Sequence, residues 1–448
     1  MNEQSVVVVG AGMAGLGAAW QLARRGYAVT VLEREARPGG RIATLQEDGF
    51  AFDVGHSLVS TADWRLRDFI EELGLRDEML PLRPVLTAQL RRRKVSEIDA
   101  RSLLGALRIP GVKWREALRL VRLPRLIARY GSALDPEAPE RSADLDDRSL
   151  ADFARLYFGS SVLTRWMAPI ATSLTSGDEN EMSRVLFLRR YNHEWGGRIG
   201  LPRAGLEELP LAAAGQLGAR FGVEVKRIDG RPGTPLRLIL DEKREGGNRQ
   251  ITRECDAVIV ATSAAEALRI AAPVLVLAER DALSRIHRTP ATVLFLALRR
   301  PFHTHCKLIR VPHDEGLPLE SVLLEPGARG GRVPEGRGLA TLRATATFSA
   351  ASRELPSDTA TKELLDAFEG FQPGIRDAIE SARLVRVAEA STHFGVGHYR
   401  EIARLERVSD DLQQAGRRVF LAGDYLMGPS WEDALASGYR AAQRVEAE

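Results

Sequence analysis

The chain opens on Ser5–Val9, a short, uncharged and largely β-branched run that predicts a strand. Glycines follow at once, residues 13–25 carry the apolar spacing of a helix, and residues 28–32 return to strand formers. This is a βαβ start. Residues 61–199 then turn helical and arginine-rich, with an acidic, polar interruption over 135–147 that predicts an exposed loop. From Pro202 the pattern predicts a helical segment, a strand at 223–228, a hairpin turning at Gly246 and Gly247, and a buried strand at 257–261 that rejoins the first unit. Residues 285–400 alternate strand-like runs, such as 292–298, with loops. The chain finishes on a strand at 419–422 and a long helix after Ser430.

The first turn carries the chemistry. Gly10, Gly12 and Gly15 form GxGxxG between strand and helix: the first permits the tight turn, the second lets the backbone approach a pyrophosphate, and the third lets helix and strand pack closely. The helix N-terminus offers free N–H groups and a positive dipole end to phosphates. Glycine-rich turns are common, so the specific signal is Glu33, which closes the second strand. A carboxylate there accepts from both ribose hydroxyls and repels a 2'-phosphate, which disfavours NADP. Gly39, Gly40 and Arg41 then place a guanidinium on a glycine turn, within reach of a pyrophosphate. Near the other end, Gly423 and Asp424 terminate an apolar strand, and Ser430 and Asp433 have capping-box spacing. Ala434, Ala436, Ser437 and Gly438 follow; such small residues admit a flat ring system to the helix or, alternatively, serve close helix packing. The helix dipole would favour the negative charge of a reduced flavin. Together the two ends select FAD over NAD.

The predicted architecture is α/β: a Rossmann-type FAD-binding domain (1–60, 200–275 and 415–448) interleaved with an α+β substrate-binding domain (61–199 and 276–414). A length of 448 residues supports two domains, and 44% hydrophobic with 27% charged residues is an ordinary globular balance. A net charge of +3 gives no reason to expect nucleic acid. Cys255 and Cys306 are too few for a disulfide framework, which fits a reducing cytoplasm. The uncharged stretch 5–23 lacks a basic start and is interrupted by glycines, so it is read neither as a signal peptide nor as a membrane span. His303, His305 and Cys306 cluster without a partner pair at ligand spacing, and no metal is expected.

With these residues assembled, the chain resembles the superfamily of protoporphyrinogen oxidases, phytoene desaturases and flavin amine oxidases. The matching motifs run from end to end: VVVVGAGMAGLGAAWQL at 6–22, VLEREARPGGRI at 31–42, FAFDVGHSLV at 50–59, LPRAGLEEL at 201–209, VKRI at 225–228, CDAVIVAT at 255–262, and FLAGDYLMGPSWEDALASGYRAA at 420–442. The resemblance implies that Val225 meets the adenine through its backbone, that Arg41 sits near the pyrophosphate, and that Asp424 serves the phosphate and ribityl region. The candidate cofactor contacts are Gly10, Gly12, Ala14, Gly15, Glu33, Arg34, Gly40, Arg41, Val225, Ala261, Gly423, Asp424 and Ala434. RSLADFARLYFG at 148–159 and TSLTSGDENEMS at 172–183 lean towards protoporphyrinogen oxidases. Their tryptophan and proline before a Gly-His pair appear here, counting back from Gly397 and His398, as Val387 and Thr392. The lysine of amine oxidases, counted back from Pro301 and Phe302, is Val293, which disfavours that subclass.

In such enzymes flavin N5 takes a hydride from a substrate carbon, so no side-chain nucleophile or metal is demanded, and oxygen or a quinone reoxidises the flavin. The expected function is dehydrogenation or desaturation of a hydrophobic small molecule, with His56 the candidate polar active-site residue. A redox-neutral isomerase or mutase, or an amine oxidase without its lysine, would carry the same cofactor motifs. Rab GDP-dissociation inhibitors share the fold without FAD, but Gly12, Glu33, Arg41 and Asp424 are intact here. Residues 101–129 hold eight Lys and Arg against the single acid Glu116. Arg115, Arg119, Arg122 and Arg129 fall on one helical face, and Trp114, Leu118 and Val121 offer an apolar one. The segment reads either as a substrate-domain helix whose apolar face packs inward and whose arginines are solvated or as peripheral membrane contact by a cytoplasmic protein, and Pro110 and Pro124 should break a single long helix.

Overall fold

A computed structural model describes residues 4–446, apart from 56–58, 61–62, 80–82, 85–86, 99–104, 106–107, 176, 195–197, 201, 232, 245–246, 303–307 and 330. The expectations for His56, for His303, His305 and Cys306, and for the hairpin tip at Gly246 lie outside the described residues. So does part of 101–129.

The first strand, β1 (Ser5–Val9), sits inside a four-stranded parallel sheet, flanked by β2 (Ala28–Leu32) and by Ala257–Val260, with Val419–Leu421 beyond the latter. Val6 to Val9 are all buried, as a central parallel strand covered on both faces requires. Val6 and Val8 face a core made with α1 (Met13–Arg24) and the C-terminal helix Trp431–Glu446; Val7 and Val9 face one made with Ala264–Ala271 and the Val223–Asp229 strand. The two helices on the first face cross almost backbone to backbone. A Cβ on Gly438 would stand 2.0 Å from the Ala14 carbonyl oxygen.

Of the strands in residues 223–261, only Ala257–Val260 joins this sheet. Val223–Asp229, Leu236–Arg244 and Gly247–Cys255 form an antiparallel sheet of their own. It is tied to the end of β2 by the Val223 N–H donating to the Glu33 carbonyl at 2.9 Å.

A second large sheet has the order Ile379–Thr392, Arg288–Leu298, Gly338–Ala344, Leu319–Pro326, Leu308–Arg310, Thr87–Arg91, Lys94–Ile98. Its back carries Leu294, Leu296 and Leu342 against Leu364 and Phe368 of the Ser357–Glu369 helix. Its front meets Phe50 and Phe52 of the Ala43–Glu47/Phe50–Val54 hairpin. Two predictions fail here. Residues 61–199 are not purely helical, because 87–98 is a hairpin whose turn holds Arg92 and Arg93 at positive φ; the dense arginines there hide the alternation of a strand. Nor is 285–400 only strands and loops, since it includes the Ser357–Glu369 helix.

The remaining layer is helical, built on Trp166, Phe187 and Phe153. The acidic stretch 135–147 is not simply an exposed loop. Asp146 is fully buried, accepting from the Ser183 hydroxyl at 2.5 Å and from the Tyr399 N–H at 2.7 Å, so it caps the His398–Gln414 helix. Trp114–Ala117, a 3-10 turn at Leu118–Arg122 and Leu123–Tyr130 run on without the break expected at Pro124, which falls in the first turn of the last segment, where proline needs no N–H partner. Ala117, Leu120, Leu123 and Ile127 are its buried stripe, while Trp114, Leu118 and Val121 are more than half exposed. No helix among the described residues is long and apolar enough to cross a membrane.

The helix crossing at Gly438 gives a direct test. Replacing Gly438 by Val forces a side chain into the Ala14 backbone and should cost at least about 3 kcal/mol, read as a lower midpoint in denaturant unfolding. Wild-type stability in that variant would contradict the described contact.

Candidate dinucleotide and substrate site

The turn after β1 owes its shape to two glycines. Gly10 holds φ +103°, where a Cβ would meet the Ala261 carbonyl oxygen at 2.6 Å, and a Cβ on Gly15 would lie 1.9 Å from the Gly10 carbonyl oxygen. Both positions are closed by the protein itself. Gly12 differs, because nothing lies within 4 Å of its ideal Cβ, and the space it faces is a cleft of about 690 Å3. The sequence roles assigned to the three glycines therefore correspond to three separate local geometries.

Glu33 is buried at the cleft, with Oε2 accepting from the Ala11 N–H at 2.8 Å and Oε1 from the Glu35 N–H at 2.9 Å. A carboxylate accepts about four hydrogen bonds, so capacity remains for ribose hydroxyls. Arg34 lines the same end but its side chain is exposed and rests on Glu35 and Glu266. Val225 and Ala261 also line the cleft, Ala261 being fixed by its N–H to the Val9 carbonyl at 2.8 Å. The turn at Gly39–Arg41 is braced by Arg37, whose guanidinium donates to the carbonyls of Pro38, Gly40 and Ile42. Sequence reasoning passed over Arg37, one arginine among many.

Arg41 and Asp424 meet across the cleft, through Nη1 to Oδ2 at 2.9 Å and Nη2 to Oδ1 at 2.8 Å. Asp424 is buried, and Thr392 donates its hydroxyl to Oδ2 at 2.8 Å while Arg288 Nη2 stands 3.8 Å from Oδ1. Burial alone would raise the Asp424 pKa, yet the two guanidiniums and the threonine hydroxyl outweigh it and hold the carboxyl below its ordinary value. The Arg288 pKa is pushed down by burial and by its neighbour Arg41. Thr392, which by count replaces the proline of the protoporphyrinogen oxidases, thus acquires a definite contact. Arg288 was not anticipated; its only signal was a lone cation opening an apolar strand.

The C-terminal helix begins with the predicted box: the Asp433 N–H donates to Ser430 Oγ at 3.1 Å and the Ser430 N–H to Asp433 Oδ2 at 3.0 Å. Its small residues divide their work. Ala434 lines the cleft with Gly423 and Asp424, whereas Ser437 accepts from the Gly423 N–H at 2.9 Å and Gly438 serves the contact with α1. Gly10, Gly12, Ala14, Glu33, Arg34, Gly40, Arg41, Val225, Ala261, Gly423, Asp424 and Ala434 all line one cleft; Gly15 lies behind it. At the other side the large sheet supplies Arg288, Ala291, Val293, Arg343 and Val387. No group of three or more His, Cys, Asp and Glu among the described residues could hold a metal ion.

A βαβ turn open at Gly12, a buried carboxylate at Glu33 and an Arg41–Asp424 pair line one cleft, the arrangement expected of a dinucleotide-binding flavoprotein. The family described as flavin containing amine oxidoreductase matches residues 13–446. The chain belongs to that family, and its cofactor is FAD. A Mycobacterium tuberculosis protein named as flavin-containing monoamine oxidase AofH is 32% identical over 255 residues, 53% of this chain and 54% of that one. The chain spans about half the length of the curated relatives it matches. Among solved structures, cyclohexylamine oxidase from Brevibacterium oxydans IH-35A has a TM-score of 0.74 at 18% identity, covering 99% of this chain and 98% of its own. A CLA-producing fatty acid isomerase from P. acnes has 0.72 at 16%, covering 100% and 99%. At those identities the likeness concerns the fold.

Two glycine variants should separate cofactor space from protein packing. Gly12→Val fills space that no protein atom occupies, so its thermal stability measured without cofactor should stay near wild type, within about 1 kcal/mol, while FAD no longer copurifies. Gly15→Val should instead fail to fold. Normal flavin absorbance in Gly12→Val would remove Gly12 from the site.

Proposed function

We propose that the protein dehydrogenates or desaturates a hydrophobic small molecule, with oxygen or a quinone as final electron acceptor. The observation that carries this reading is the wall facing the dinucleotide half of the cleft: Ala291, Val293 and Val387 present aliphatic carbon. The described lining contains no cysteine, histidine, lysine or tyrosine. Bound FAD would supply a hydride-accepting centre. The chain's own part is to hold and to exclude: Glu33 would receive the ribose, the Gly12 backbone and Arg41 the diphosphate, and Asp424 the region between. The aliphatic wall keeps water from the reacting carbon.

A redox-neutral isomerase remains the second reading, supported by the shared fold of the fatty acid isomerase. Turnover distinguishes them, since only the first reading consumes an electron acceptor in proportion to product.

The purified protein should be yellow, release FAD on denaturation and need no added NAD(P)H; colourless protein that binds NADH tightly would defeat the reading. Benzylamine and tyramine should be poor substrates, because Val293 cannot hold a water as a lysine does. Peroxide release from them at an oxidase rate, about 1 to 100 per second, would favour the amine oxidase alternative.

We further propose that residues 101–129 contact an anionic membrane surface peripherally. The supporting observation is that Trp114, Leu118 and Val121, at 68%, 53% and 52% exposure, share the exposed side with Arg115, Arg119 and Arg122. Each basic group near the headgroups contributes about 1 kcal/mol. In liposome flotation at low salt the protein should rise with vesicles rich in anionic lipid, and replacing Arg115, Arg119 and Arg122 by Glu should leave it at the bottom. Wild type that ignores such vesicles ends this proposal.

A further inference from the structure

Arg288 opens the Arg288–Leu298 strand and is paired in register with Thr392, the last residue of the neighbouring strand. Paired residues share a face of the sheet, and both side chains reach the same carboxylate: the Thr392 hydroxyl donates to Asp424 Oδ2 at 2.8 Å, and Arg288 Nη2 stands 3.8 Å from Oδ1. Ala291, where the aliphatic wall begins, follows about 10 Å further along the extended chain. On the other side of Asp424 stand Arg41 and, through Gly40, the Gly12 turn, whose Cα lies 3.9 Å from an ideal Cβ on Gly40. Arg288 therefore lies between the glycine turn and the aliphatic wall, in the middle of the cleft that all of them line.

The arginines on the two sides of Asp424 are engaged to different degrees. Arg41 is held within the protein: Nη1 donates to Asp424 Oδ2 at 2.9 Å and to the Ala390 carbonyl at 3.1 Å, and Nη2 pairs with Oδ1 at 2.8 Å. Arg288 donates a hydrogen bond to no described residue. Its nearest carboxylates are Asp424 and Glu389, each at 3.8 Å, and Glu389 is 64% exposed, where solvent screens it. The Arg288 side chain is itself only 15% exposed, and withdrawing a guanidinium from water without hydrogen bonds is costly. Asp424, the buried carboxylate between them, sets a single negative charge against two guanidiniums. Burial and the charge of Arg41 both lower the Arg288 pKa, as expected of a cation that the surrounding protein groups do not balance. A phosphate oxygen would balance it, since a guanidinium fork matches phosphate geometry and gains charge-assisted hydrogen bonds there.

We propose that Arg288 is a cofactor-anchoring residue that binds the phosphate of FAD nearer the flavin, beside Asp424 and beyond the reach of the Gly12 turn. This rests on the placement of FAD in the same cleft and adds to it a ligand from the substrate sheet. The dinucleotide is then gripped from both sheets at its diphosphate, and binding needs no covalent step.

The purified holoprotein tests this, with flavin content measured first. In phosphorus NMR of the bound cofactor, Arg288→Met should shift one of the two diphosphate resonances while the visible spectrum of the flavin stays as in wild type; Arg288→Lys, which keeps the charge, should shift it less. On dilution, FAD should leave Arg288→Met at least about ten-fold faster than wild type, read as the rise in flavin fluorescence, and leave Arg288→Lys at an intermediate rate. Added salt should speed release from wild type more than from Arg288→Met, because the contact removed is electrostatic. Unshifted resonances in Arg288→Met overturn the proposal, and so does an unchanged release rate; a changed visible spectrum with unshifted resonances places the arginine against the ring system instead and equally overturns it. If Arg288→Met retains too little FAD for NMR, Arg288→Lys is judged by the same resonances and release rate. Protein purified without flavin defeats the cofactor reading separately, and calorimetry with ADP and AMP then decides the role of Arg288: ADP should bind at least about ten-fold more tightly than AMP in wild type, and a preference that survives in Arg288→Met overturns the proposal.

Discussion

A single buried carboxylate organises the site. Asp424 receives Arg41 from the glycine turn, Thr392 from the end of the longest sheet strand and, more loosely, Arg288 from the start of its neighbour. A charge so far from water is tolerated only when cations and donors surround it, and here they come from three distant stretches of chain. These contacts tie the parallel sheet to the seven-stranded sheet.

The two sides of the cleft then follow different physics. On the dinucleotide side the backbone does most of the work: closed glycines at 10 and 15 shape the turn, and the open one at 12 leaves room. On the substrate side, side chains decide, because a sheet presents every second residue and a row of paired positions forms a continuous strip. The strip passes from Val293 to Arg343 in one step.

The dinucleotide half was legible in the sequence because its requirements are local. GxGxxG, Glu33 and the Ser430–Asp433 box each lie within a few residues of the geometry they specify, and the βαβ pattern is set by periods of two and 3.6. The substrate half was less legible because its residues meet only through strand register. Arg343, Ser321 and Arg310 are separated in sequence but adjacent in the sheet, and no spacing rule within a single strand announces them. Burial was misread in the same way: Asp146 sits in an acidic stretch that looks solvated, and only its pairing with Ser183 and Tyr399 shows that it is a buried cap. The small residues of the last helix had two readings, and the fold uses both, one at Ala434 and the other at Gly438.

The order of strands in the parallel sheet carries a consequence for how the molecule is made. β1 lies beside β2 within the first 32 residues, but its other neighbour begins at Ala257, and the strand beyond that at Val419. A ribosome therefore releases the glycine turn long before the partners that hold it exist. Most of the intervening chain must wait or fold around an unfinished sheet, and contacts of such long sequence separation form slowly. Asp424 and the helix that closes over α1 emerge later still, so that a nascent chain stopped short of Val419 lacks both the outer strand and the carboxylate on which the site is centred.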